Sequence, residues 1–391
     1  MAGDGALTAI CLPAPEAAAA ILAAWDAGRA VLPLDPRAPG PERRRVLAAT
    51  RPTFLLDAAG RHRLPDSEAV ADGVAAVVAT SGTTGGPKGV ELTVDGLRAS
   101  AAAVTAGVGA GDDDRWLCCL PLSAVGGLAI VARAWSTGLP LEVVSRFDTA
   151  TVAATPATLV SLVPTTLRRC LDAGLDLGRF TAVLVGGAAL DPALRIRAEE
   201  AGAPVVTTYG MTETWGGLVH DGHPLAGAEV RLGEESEILV RGPMVMRAYR
   251  LRPEETTAAF VVGPDRRLWL RTGDAGAWDP AGALVVVDRL RDLVLTGGVN
   301  VSATEVESVL GTHPGVADVA VAGAPDPEWG QVVVAHVVAA DPARPPTLAE
   351  LRTFAAERLS AAKLPRRLEL VDRVPRTPGG KPVRRLLGSG R

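Results

Sequence analysis

The stretch VAAVVATSGTTGGPKGV, residues 74–90, decides how the rest of the chain is read. Val74 to Thr80 form a short valine-rich apolar run that suits a buried strand. The run breaks into Ser81-Gly82-Thr83-Thr84-Gly85-Gly86-Pro87-Lys88-Gly89. Glycines let the backbone approach a ligand closely and turn its N–H groups inward. The hydroxyls of Ser81, Thr83 and Thr84 add donors, and Lys88 adds a positive charge. Together these suit a polyphosphate. On composition alone they also suit a polar surface loop. This is not a Walker loop, because Gly89 follows the lysine where Ser or Thr would hold magnesium.

Working outward, TAVLVGG (181–187) and APVVTTYG (203–210) are further strand-type runs ending in loops. Between them AALDPALRIRAEEAG reads as a helix, with Asp191 as its cap and Pro192 at its first position. PEAAAAILAAWDAG, near the start, reads as a buried helix. Strands alternating with helices argue for an α/β fold with ligands at strand ends. GVGAG (107–111) follows a helical stretch rather than a strand, so it is not a dinucleotide fingerprint. Past about residue 290 the pattern changes. Ser302/Glu305 and Thr347/Glu350 have the spacing of capping boxes, and VADVAVAG and QVVVAHVVAA between them read as strands. The expected organisation is a large N-terminal α/β domain, residues 1–290, with helices flanking its sheets, and a small mobile α+β domain, residues 291–391.

The chain has 391 residues, 48% of them hydrophobic, and a formal net charge of -4. Basic and acidic residues are interspersed, which argues against nucleic acid as a partner. No apolar run reaches the roughly 18 residues of a membrane span. The first residues lack a cationic stretch, so the expected location is cytoplasmic. Cys11, Cys118, Cys119 and Cys170 show no CxxC spacing and read as reduced, buried thiols. His62, His220, His223, His313 and His336 show no metal spacing, and the pair in HDGH falls short of a ligand set. Lysine occurs only at Lys88, Lys363 and Lys381, tyrosine only at Tyr209 and Tyr249, and asparagine only at Asn300. In a chain that otherwise uses arginine, a lysine in a glycine-rich loop points to a need for a compact ammonium.

TSGTTGGPKG resembles the phosphate loop of the adenylate-forming superfamily of acyl-CoA synthetases, adenylation domains and luciferases. The superfamily's other motifs follow in order: TYGMTET (208–214), RTGD (271–274), DRLRDLVLTGGVNV (288–301) and PRTPGGKPVRR (375–385). The resemblance implies ATP, Mg2+ and coenzyme A as reactants or cofactors and a small carboxylic acid as the other substrate. It assigns the β- and γ-phosphates to Thr80, Ser81, Gly82, Thr83, Thr84 and Lys88. It places adenine against Tyr209, Gly210 and Met211, with backbone from Gly187 and Ala188. It implies that Thr212 touches the α-phosphate, that Glu213 holds magnesium, and that Asp274, with Arg289 beside it, binds the ribose. Lys381 is the implied catalytic lysine, Arg291 the hinge, and Gly298 the residue that leaves room for pantetheine. Lys363 matches none of these motifs and reads as surface.

The acyl pocket is expected from CLPLSAVGGLAI (119–130), SLVPTTLRR (161–169) and WGGLVHDG (215–222), whose glycines suggest room for a ring. A dicarboxylate would need an extra donor there, from Ser123, Thr165 or an arginine. TYGMTETWGGLVHDGHPLAG (208–227) is most similar to the compact actinobacterial o-succinylbenzoate–CoA ligases of menaquinone synthesis. The alternative is an enzyme that adenylates another acid or loads a carrier protein. Four positions depart from the superfamily pattern: Ser123 and Ala124 after "PL", Leu270 before RTGD, and Asp288 in place of glycine. A homodimer is the expected assembly among those the sequence leaves open.

Overall fold

The computed structural model describes residues 5–81, 86–376 and 382–387. It is a mixed α/β protein whose chain divides into two compact units. The first comprises Met1–Arg231, Leu239–Thr272 and Trp278–Leu284, and the second Leu232–Ile238, Gly273–Ala277 and Val285–Arg391. Among the described residues no helix is long and apolar enough to cross a membrane.

Two seven-stranded sheets build the first unit. One runs Ala248–Tyr249, Pro87–Thr93, Val74–Ser81, Ala30–Pro33, Leu7–Ile10, Phe54–Asp57 and Gly60–Arg63. Leu7–Ile10 and Ala30–Pro33 are parallel and buried throughout, which is why they read as unbroken apolar runs. Val74–Ser81 turns back on Pro87–Thr93 as an antiparallel pair, with Thr80 opposite Lys88. The opening stretch therefore supplies two paired strands, Val74–Ser81 and Pro87–Thr93. Glycine is required at position 89, where a Cβ would lie 2.8 Å from Val77 Cγ1 and 3.0 Å from Thr50 Cγ2.

The other sheet runs His223–Pro224, Gly216–His220, Val205–Met211, Ala182–Gly186, Leu159–Leu162, Trp116–Cys118 and Leu141–Val143. Val205–Met211, Ala182–Gly186 and Leu159–Leu162 are parallel, so their loops open on one edge. Pro192–Glu200 follows the middle strand, capped by Asp191, which accepts from Ala193 N–H at 2.9 Å. The helix Ala14–Asp26 buries only the face of Ala17, Ala18, Ile21 and Trp25, so it is one-sided rather than wholly interior.

In the second unit the sheet runs Val299–Ser302, Leu293–Thr296, Gly330–Ala339 and Val316–Asp326, with Arg367–Leu370 beside Gly330–Ala339. Helices Ala303–Leu310 and Leu348–Ala356 pack on it through Val306, Leu310, Leu351 and Ala355. Thr347 and Glu350 form the reciprocal box expected of them. Ser302 completes only half of one: it accepts from Glu305 N–H, but its hydroxyl donates to Asp288 at 2.8 Å. Lys363 is not a free surface lysine, since its ammonium pairs with Glu305 at 2.6 Å.

Candidate active site

The phosphate-loop residues begin where Val74–Ser81 ends. The Thr80 hydroxyl donates to the Lys88 carbonyl at 3.5 Å, closing the base of the hairpin. Gly82, Thr83 and Thr84 lie outside the described residues, as does the side chain of Ser81. Lys88 is described in full. Its ammonium is ion-paired with Glu255 and stands 5.1 Å from the centre of the Tyr249 ring. The same tyrosine's hydroxyl donates to Glu213 Oε1 at 2.8 Å.

Glu213 belongs to the short turn Thr212–Thr214, after the strand Val205–Met211 that carries Tyr209, Gly210 and Met211. Sequence and space agree on that turn. A Cβ on Gly210 would lie 1.8 Å from the Gly216 carbonyl oxygen, so the strand can bend there only with glycine. Thr214 donates to that carbonyl at 2.7 Å. Trp215 takes a left-handed φ of 54°, a strained conformation held by complete burial and a hydrogen bond from its indole to Thr93 O. The outcome is a Glu213 carboxylate that is only 7% exposed, with one oxygen engaged by Tyr249. Gly187, at φ +79°, and Ala188 are exposed just past the end of Ala182–Gly186.

In the second unit, Asp274 is 5% exposed, and Arg289 Nε reaches its Oδ1 at 2.8 Å. Gly297 and Gly298, both at positive φ, make the two-residue turn between Leu293–Thr296 and Val299–Ser302. Arg291 is exposed in the short turn Leu290–Asp292. Lys381 lies outside the described residues.

One cluster was not singled out from the sequence. Helix Val125–Thr137 is buried along Gly127–Ala134 and carries one charge in that run, Arg133. Its guanidinium is 5% exposed, lies 5.3 Å from the Trp116 ring centre, and makes no ion pair or hydrogen bond among the described residues. Burial pushes Arg133 down to about 10, so it remains protonated at neutral pH. His220 and Thr208 face each other across paired strands. Both His220 ring nitrogens and Thr208 Oγ1 are buried with no hydrogen-bond partner among the described residues. A run, Val125–Trp135, apolar but for one arginine was the available signal. The glycines proved a poor guide to space. Cβ atoms at Gly127 and Gly217 would stand 2.4 Å from Pro121 O and 1.9 Å from Thr208 Oγ1, so close packing demands them.

Burial, reinforced by the charge of Arg133, pushes His220 down to about 4. An unfolded histidine takes up its proton near pH 6.5, so between about 6.5 and 4 the unfolded chain binds the extra proton. His220 therefore supports stability fully at neutral pH and progressively less on acidification, by at most about 3 kcal/mol. Melting curves from pH 7 to 4 should show the native protein losing more stability than His220→Leu. Parallel losses would overturn the assignment.

Burial also pushes the thiols of Cys118 and Cys119 up to about 12, and that of Cys170 up to about 11, which leaves all three poor nucleophiles. Among the described residues, no three His, Cys, Asp or Glu side chains converge as a metal site. A single buried carboxylate such as Glu213 fits magnesium that arrives with phosphate oxygens, because that ion keeps most of its ligands from substrate and water.

Comparison with known proteins identifies the family. The family described as AMP-binding enzyme matches residues 3–250, and its C-terminal domain model matches residues 305–381. The chain belongs to the AMP-binding enzyme family. Within this family, the 2-succinylbenzoate–CoA ligase of Listeria monocytogenes is 34% identical over 325 residues, covering 78% of this chain and 68% of the relative. The o-succinylbenzoate coenzyme A synthetase of Bacillus subtilis, in complex with its acyl-adenylate intermediate, superposes with a TM-score of 0.87 at 31% identity. That superposition covers 99% of this chain and 89% of the other. The same synthetase bound to ATP and magnesium gives 0.85 at 31% identity, covering 98% and 89%. This AMP-binding enzyme thus matches its family in both segments, residues 3–250 and 305–381.

Proposed function

We propose that the chain is an ATP-dependent o-succinylbenzoate–CoA ligase that works through an acyl-adenylate. The observation that carries the choice of acid is Arg133, a buried, protonated guanidinium with no anionic partner among the described residues. A dicarboxylate activated at one carboxyl group keeps the other as an anion, and Arg133 with His220 and Thr208 offers it a charge and hydrogen-bonding groups. The substrate named for the relatives is such a dicarboxylate.

In this reading the substrate carboxylate attacks the α-phosphorus of ATP. The bond to the β-phosphate oxygen breaks, and pyrophosphate leaves with the electron pair. Thr80, Ser81, Gly82, Thr83, Thr84 and Lys88 hold the departing phosphates, and Thr212 touches the α-phosphate. Tyr209, Gly210 and Met211, with Gly187 and Ala188, bound the adenine. Asp274, oriented by Arg289, accepts from the ribose hydroxyls. Glu213 holds magnesium, which neutralises charge on the phosphates when bound. Lys381 acts in this first half. The smaller domain, taken from residue 291, then turns about Arg291, and the thiol of coenzyme A passes Gly298 to attack the acyl carbonyl and expel AMP. A cytoplasmic location suits enzymes that draw on ATP and coenzyme A. The expected homodimer is checked by sedimentation at micromolar concentration.

Pyrophosphate release against a panel of carboxylic acids, with and without coenzyme A, tests the function. Selective release with o-succinylbenzoate and a thioester product on free coenzyme A are expected. Selective release with another acid, or transfer only to a carrier protein, would discard the assignment.

A further inference from the structure

Tyr249 is placed by unusually firm anchors. It forms the two-residue strand Ala248–Tyr249, which adds to the sheet edge beside Pro87–Thr93, with Tyr249 opposite Val90. Its own N–H donates to Thr256 Oγ1 at 3.0 Å. The next residue, Arg250, has a side chain only 1% exposed, pairs with Glu91 at 3.1 Å, and donates its backbone N–H to Gly89 O at 2.7 Å. The ring is therefore carried on backbone tied to Pro87–Thr93, the strand that bears Lys88. From there it faces the Lys88 ammonium and donates its hydroxyl to Glu213.

We infer that Tyr249 is a positioning residue that sets Glu213 for the magnesium ion while its ring steadies Lys88. The inference rests on the proposed ATP-site roles of those two residues. A glutamate side chain left alone samples many rotamers, and ordering it opposes metal binding. Tyr249 holds Oε1, and the Glu213 carbonyl accepts from Met246 N–H at 2.7 Å, so both ends of the residue are fixed while Oε2 is left for the ion. Magnesium tolerates little departure from octahedral geometry, so a ligand oxygen fixed in advance binds it better. Hydrogen bonds to a metal ligand are worth roughly 10- to 100-fold in metal affinity. Glu255, in the helix that follows, completes the arrangement by neutralising Lys88.

The test is titration calorimetry of ATP into the full chain, once with magnesium and once with EDTA. Tyr249→Phe keeps the ring over Lys88 and removes only the hydroxyl. Its ATP affinity in EDTA should stay within about twofold of the native protein, while the gain conferred by magnesium falls about tenfold. Glu213→Gln should lose that gain as well. If Tyr249→Phe keeps the native gain and Glu213→Gln loses it, Tyr249 has no positioning role and the role of Glu213 stands. If both keep it, the reading of Glu213 as the magnesium ligand falls, and this inference falls with it. Equal losses with magnesium and with EDTA, accompanied by a lower Tm, would mark Tyr249 as packing alone and overturn the inference.

Discussion

Lys381→Ala should abolish adenylate formation and spare the second half-reaction. Pyrophosphate release with o-succinylbenzoate should fall by about 10²–10³-fold or more, the scale for removing one donor from charge that develops in a transition state. Thioester formation from supplied acyl-adenylate should stay within a few-fold, roughly the spread expected when no transition-state contact is lost. The asymmetry follows from the proposed cycle, in which the lysine meets the α-phosphate in the first half only. The described chain on either side of residues 377–381 is well fixed to its own unit. Arg376 bridges to Pro382, and Val383 N–H donates to Pro375 O at 2.8 Å. Arg384 reaches Glu307 at 2.8 Å, Asp292 at 3.2 Å and the Val321 carbonyl at 2.9 Å. Lys381→Arg should rescue poorly, because a planar fork replaces a compact ammonium. Equal loss in both half-reactions would sink the assignment.

What the sequence disclosed and what it hid divide along physical lines. Buried parallel strands such as Ala182–Gly186 are continuous apolar runs, so they can be read directly. The strand Leu284–Arg289 is harder, because Val285, Val286 and Val287 are 47%, 39% and 42% exposed and follow no alternation. Motif spacing singled out Glu213 and Asp274, and both are buried carboxylates with a side-chain partner. It could not locate Tyr249 against Glu213, a pairing made by a sheet edge far along the chain. Tyr249 was flagged only as one of two tyrosines. Asp288 appeared as a departure from pattern. Its carboxylate takes the Ser302 hydroxyl at 2.8 Å and the Thr304 N–H at 3.0 Å, fastening the start of Ala303–Leu310. A substitution that seems to subtract from a motif here supplies a helix anchor, and no local pattern announces it.

Arg133→Met should damage selectivity and improve stability at once. Truncating one partner of a buried charge pair costs about 2–5 kcal/mol, so kcat/KM for o-succinylbenzoate should drop on the order of 10²-fold or more. Aromatic acids lacking the second carboxylate should lose far less, and ATP affinity should not change. Stability should move the other way. In the ligand-free protein Arg133 is a charge beside Trp116 on a largely apolar helix, with no anion among the described residues to offset its desolvation. Replacing such a group with an apolar side chain of similar length is commonly neutral or stabilising, by about 1–4 kcal/mol. Melting temperature measured without substrate should therefore rise, and the stabilisation that added o-succinylbenzoate gives the native protein should disappear. A structural arginine would behave oppositely: its loss would lower Tm and reduce turnover of every acid alike. The pairing of signs separates the two roles, because only a site kept at a cost to the empty fold gains stability when its ligand-binding charge is removed.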